Sequence, residues 1–111
     1  MMNWILGHWP DGFDCLVSHG GVFDTRFFAY SIDSVGFMER QMVGTPFATP
    51  EAFERNNPVN DVANWKTPTL VIHGALDYRV PLEEGIAMFS ALQRRGIDSK
   101  FLMFPDENHW I

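Results

Sequence analysis

The clearest alternation of apolar and polar positions lies in the second half of the chain. Residues 69–74, TLVIHG, form an unbroken apolar, β-branched run closed by glycine, which predicts a strand buried on both faces. Residues 81–96, PLEEGIAMFSALQRRG, place Ile86, Met88, Phe89 and Leu92 near helical spacing. Pro81 opens that segment, Arg94 and Arg95 fill its last turn, and Gly96 closes it. KFLMF, residues 100–104, predicts a second strand. Strand, crossover helix and strand make a βαβ unit, right-handed by strong default.

The first half is more broken. MMNWILGHW is compatible with a helix, lacks an N-cap and is stopped by Pro10-Asp11-Gly12. FDCLVS, residues 13–18, predicts another buried strand with Cys15 as a small core residue, and Gly20-Gly21 ends it. Residues 24–43 predict one or two helices with loops. In ATPEAFERN, Pro50 takes a first helical position and Thr49 the capping position. Asn57-Pro58 ends that helix, and Asn60 is placed to cap the turn DVANW. The aromatics Phe23, Phe27, Phe28 and Tyr30 read as core. All three strands are apolar on both faces, as central strands are, so the fold class is α/β with a mostly parallel, helix-flanked sheet.

Composition narrows the class. The chain has 111 residues, 46% of them hydrophobic and 20% charged, which suits one small globular unit. A net charge of −6 argues against partners rich in phosphate, whether nucleic acid or an anionic membrane surface. No apolar run reaches the length of a membrane span. One cysteine excludes an internal disulfide framework. No repeat or interdomain linker is present. The opening residues carry no secretion signal, and the compartment stays open.

In parallel sheets, ligands bind beyond the carboxyl ends of the strands. Two polar loops fall there: HGALDYRVP after one strand and PDENHWI after the next. They carry Asp77 and His109, 32 positions apart across one crossover helix. Adjacent parallel strands would bring these loops together, and a carboxylate beside an imidazole fixes its tautomer and stabilises its cation, as a general base requires. Each residue also has a plainer use: Asp77 can cap its own loop or the following helix, and His109 can be a solvated surface histidine. His73, at a strand end, reads as a hydrogen-bonded structural histidine, and His8 and His19 read the same way. A zinc site from His19, His73, His109 and Cys15 lacks ligand spacing, so no metal is expected.

The stretch PTLVIHGALDYRVPLEEGIAMFSALQRRGIDSKFLMFPDENHW resembles the C-terminal catalytic part of the prolyl oligopeptidase family of serine peptidases, closest to its dipeptidyl-peptidase 5 branch. NWILGHWPDGFDCLVSHGGVFD is similar to the segment that follows the nucleophile in that branch, and residues 26–47 are the least family-like. The resemblance implies an α/β-hydrolase with triad order Ser, Asp, His, usually preceded by a β-propeller. It implies that Asp77 is the triad acid and His109 the base. It further implies that Arg79 binds a substrate carbonyl, that Val22 and Phe23 line an apolar subsite, and that the substrate is a peptide with no cofactor. An esterase or acylaminoacyl hydrolase of the same fold and a non-catalytic relic are the competing readings.

One element is missing from the pattern. The nucleophile needs a G-x-S-x-G turn, and none of the serines at 18, 31, 34, 90 and 99 has it. Ser18, in VSHGG, comes nearest, with Leu16 in the place of the first glycine. The resemblance therefore leads one to expect residues 1–111 to be a partial catalytic domain, truncated at both ends, with its elbow serine upstream and no turnover of its own.

Overall fold

The computed structural model describes residues 1–111. Three parallel strands, β1 (Leu16–His19), β2 (Thr69–Gly74) and β3 (Ser99–Phe104), lie in the order β1-β2-β3. Helix α1 (Met2–His8) precedes β1. Helices α2 (Thr25–Ser31), α3 (Val35–Met42) and α4 (Pro50–Glu54) and a 3₁₀ turn (Pro58–Asn64) connect β1 to β2, and α5 (Leu82–Arg94) connects β2 to β3. The register pairs Leu16 with Thr69 and Thr69 with Ser99, so β2 and β3 run in step to Gly74 and Phe104.

One face of the sheet is packed. Leu6 of α1, Leu16, Trp65, Val71, Met88, Leu92 and Ile97 form a buried cluster that joins α1 and α5 to the strands. Helix α5 ends as its sequence predicts: Gly96 takes φ +71°, and Ile97 N–H donates to Leu92 O over 3.0 Å, closing a C-terminal cap with two apolar core residues. The other face is open, with Val17 and Leu102 exposed. Burial on both faces, expected of all three strands, is therefore not what the structure shows. Only β2 has a strand on either side, and β3 exposes Leu102, Met103 and Phe104.

A second cluster gathers Phe28, Ala29 and Ile32 of the α2 region, Met38 of α3, Phe53 of α4, and Val80. Val80 belongs to the loop after β2, so the helical insertion rests on that loop. Asp24 caps α2 by accepting from Arg26 N–H at 2.9 Å, and it also accepts from Asn57 Nδ2 at 2.9 Å.

Several local expectations are corrected. The first strand starts at Leu16, after Asp11 and Asp14 have kept the chain in solvent, and Cys15 is exposed instead of buried. Thr49 holds the N-cap position of α4 without capping it, since its hydroxyl donates to Thr45 O. Asn60 lies inside the 3₁₀ turn that begins at Pro58, and bonds Glu54 Oε2 at 2.8 Å. Phe28 is core as expected, but Phe27 and Tyr30 point to solvent, because the short α2 turns only one face inward.

Glu84, in the first turn of α5, is buried at 1% exposure. Its Oε2 accepts from Phe23 N–H at 2.6 Å and Asp24 N–H at 2.8 Å, fixing the chain just beyond β1. Burial pushes the Glu84 carboxyl up to about 7; the two N–H donors oppose the shift, and neighbouring Asp24 and Glu83 add to it. Between its ordinary value near 4.5 and about 7, the folded state holds a proton that the unfolded state releases. This contribution to stability is full below about 4.5 and is lost as pH rises through 7. A Glu84→Gln variant, which cannot ionise, should gain on wild type by roughly 1–3 kcal/mol between pH 5 and pH 8. Thermal unfolding of both proteins across that range measures it, and parallel pH profiles would refute the assignment.

Candidate active site

Because β2 and β3 end in register, the loops that follow them emerge side by side and are stitched together. Ala75 N–H donates to Phe104 O at 2.8 Å, and Leu76 N–H donates to Glu107 O at 3.0 Å. Gly74 makes the crossing possible. A Cβ there would lie 2.6 Å from Asn108 O and closer still to Glu107 O, so the backbone of the 107–108 turn occupies the space a side chain would need.

Asp77 sits at the centre, 4% exposed. Its two oxygens do different things. Oδ1 accepts from Arg79 N–H at 3.0 Å and Val80 N–H at 2.7 Å, which shapes the acid loop. Oδ2 meets His109 Nδ1 at 2.8 Å. Of the uses open to this aspartate in the sequence, loop cap and imidazole partner are thus both present, whereas the N-cap of α5 is Pro81 and no side chain caps that helix. A carboxylate only accepts, so His109 carries its proton on Nδ1 and turns Nε2 into the free, basic nitrogen. Nε2 has no protein partner, and the His109 side chain is 25% exposed.

Gly20 completes the surroundings. It follows β1 with φ +53°, and a Cβ at that position would stand 3.2 Å from His109 Cε1 and 3.5 Å from Asp77 Oδ2. In the sequence Gly20 and Gly74 read only as strand breakers; their part in the site shows in the fold, where Gly74 meets the backbone of the 107–108 turn and Gly20 the side chains of His109 and Asp77.

The other candidates fall in several places. Arg79 lines one recess with His109, a cavity of about 130 Å³, and its Nε donates to Asp33 Oδ1 at 2.8 Å. Val22 lines a separate recess of about 510 Å³ with Met1, Trp4 and Pro58, and its carbonyl accepts from Asn3 Nδ2 at 2.6 Å. Phe23 packs edge-on against Trp65 at 5.8 Å between ring centroids, which makes it a core contact. Neither Val22 nor Phe23 lines the recess at His109. Ser18 is 2% exposed and donates to Asn3 Oδ1 at 3.1 Å, and no serine bonds His109. His73 is fully buried and donates from Nε2 to Val80 O at 2.8 Å, as a structural histidine does. His8 stacks on Trp4, whereas His19 is exposed and makes no hydrogen bond through its ring. No three His, Cys, Asp or Glu side chains converge on a possible metal position.

A parallel helix-flanked sheet with a paired carboxylate and imidazole beyond its strand ends defines the α/β-hydrolase class. The solved acylaminoacyl peptidase of Pyrococcus horikoshii superposes on 99% of this chain with a TM-score of 0.87 and 24% identity, and the chain covers 18% of it. Porphyromonas gingivalis dipeptidyl peptidase 4 superposes on 94% with a TM-score of 0.78 and 22% identity, and 14% of it is covered. The description of the prolyl oligopeptidase family matches residues 1–111, and the chain belongs to that family. Dipeptidyl-peptidase 5 of Schizosaccharomyces pombe is 48% identical over 113 residues, and dipeptidyl-peptidase 5 of Aspergillus fumigatus is 43% identical over 117. Both alignments take in 100% of this chain and 16% of the relative, so the chain spans about one sixth of the length of the curated relatives it matches.

The crossing at Gly74 gives a direct test. Gly74→Ala should push the 107–108 turn away and lengthen the Asp77–His109 bond. The longer bond should move the His109 Nδ1–H proton resonance upfield, as a weakened charge-assisted hydrogen bond does. Proton NMR checks it; a wild-type resonance in the variant would show that the crossing does not position the pair.

Proposed function

We propose that Asp77 and His109 are the acid and base of a Ser-Asp-His triad in a serine-type peptidase. The carrying observation is the 2.8 Å bond from His109 Nδ1 to a buried carboxylate, which leaves Nε2 as the free base. In this reading the nucleophilic serine lies outside these 111 residues, which form part of the catalytic domain. His109 Nε2 takes the serine proton as the hydroxyl attacks a peptide carbonyl. Asp77 holds the ring in place and stabilises the imidazolium. The proton then passes to the leaving amine, and water, deprotonated by the same nitrogen, hydrolyses the acyl-enzyme. The chemistry uses no metal or cofactor.

The names of the yeast and mould relatives support release of dipeptides. Arg79, on the rim of the same recess as His109, is suited to bind a substrate carbonyl. Val22 offers apolar surface beyond β1. An upstream β-propeller belongs to this reading as well.

Asp77→Asn separates the role of the pair from loop folding. The asparagine Oδ1 still accepts from Arg79 and Val80, but its Nδ2 now donates to His109 Nδ1. The imidazole must then carry its proton on Nε2, where it cannot act as a base. In the full-length protein kcat on dipeptidyl chromogenic substrates should fall roughly 10³–10⁴-fold with little change in KM, and His109→Gln should match it. Residues 1–111 alone should show no turnover. Wild-type kcat in His109→Gln would overturn the proposal.

A further inference from the structure

The chain leaving α2 is fastened to the acid loop at two successive residues. Asp33 N–H donates to Tyr78 O at 2.9 Å, and Asp33 Oδ1 accepts from Arg79 Nε at 2.8 Å. Arg79 is thus held from both sides, its backbone N–H by Asp77 and its side chain by Asp33. Only Nε is engaged. The two terminal nitrogens, with four N–H donors, have no protein acceptor, and the side chain is 42% exposed. Asp33, Arg79 and His109 line the same recess of about 130 Å³.

We propose that Asp33 is a positioning residue that sets substrate specificity through Arg79. The inference rests on the peptidase reading above. A free arginine samples many rotamers and loses that freedom on binding; one already held through Nε presents its terminal nitrogens in a fixed place. Asp33 also cancels the formal charge of Arg79. The recess beside His109 therefore offers directional donors without a net cation, which suits a neutral peptide carbonyl and disfavours a carboxylate. Nothing about the α2 exit as a local sequence, SIDSV, marks it for this use; its 46-residue separation from Arg79 is closed only by the fold.

The test uses the full-length protein with two substrate types: dipeptidyl nitroanilides, which carry a carbonyl upstream of the scissile bond, and p-nitrophenyl acetate, which has none. Asp33→Ala should raise KM for the nitroanilides roughly tenfold, the size of one lost charge-assisted contact. Their kcat, and all acetate turnover, should stay within about twofold. Asp33→Asn keeps an acceptor for Nε but removes the charge. It should recover part of the KM loss and shift preference toward nitroanilides with an acidic side chain, while Asp33→Glu should restore the wild-type preference. In an Arg79→Ala background, Asp33→Ala should add nothing. An unchanged nitroanilide KM, a parallel loss on acetate, or additivity with Arg79→Ala would each overturn the inference. Wild-type protein without nitroanilide turnover, or His109→Gln with full turnover, would instead defeat the underlying peptidase reading.

Discussion

A carboxylate at 4% exposure is tolerable only if every face of it is used, and the site is organised around meeting that requirement for Asp77. Two backbone N–H groups saturate Oδ1, and these bonds turn the loop so that Val80 points into the helical insertion and Arg79 toward the recess. Oδ2 is left for His109. The bonds that satisfy a buried charge thus also select the imidazole tautomer. Removing any donor would leave a desolvated charge, which costs far more than the ordinary net worth of a hydrogen bond.

Bringing His109 to that oxygen depends on backbone geometry more than on side chains. Parallel pairing in register makes β2 and β3 end together, and the bonds at Ala75 and Leu76 carry the pairing on into the loops. Gly74 then lets the backbone of the 107–108 turn approach more closely than a side chain would allow, and Gly20 takes a positive φ tight against the His109 ring. Each glycine is flexible in the unfolded chain and is used here for one conformation, so its benefit to the site is set against a conformational cost.

The insertion between β1 and β2 has a comparable double use. Its apolar residues close over Val80, so the packing of α2, α3 and α4 supports the acid loop from outside. Asp33, at the exit of α2, reaches the same loop through a main-chain bond and an ion pair. Glu84, in the first turn of α5, binds the chain beyond β1 to the start of that helix. A helix N-terminus favours its charge and burial opposes it, and burial prevails.

Local chemistry determined a good deal. The β-branched run TLVIHG matches β2 residue for residue, and Pro81 and Gly96 bracket α5 because fixed φ and positive φ are properties of those residue types. The βαβ order and the placing of Asp77 and His109 on neighbouring loops follow from the same local signals, and the motifs around them carried the family resemblance. Tertiary structure alone decided the rest. It exposed Cys15, Phe27 and Tyr30, since hydrophobicity says that a residue can be buried but not whether anything covers it. It turned Phe23 onto Trp65 and bonded Asp33 to Arg79. These are contacts between residues tens of positions apart, and their partners are chosen by how the sheet and its insertion pack, which no local pattern of side chains encodes.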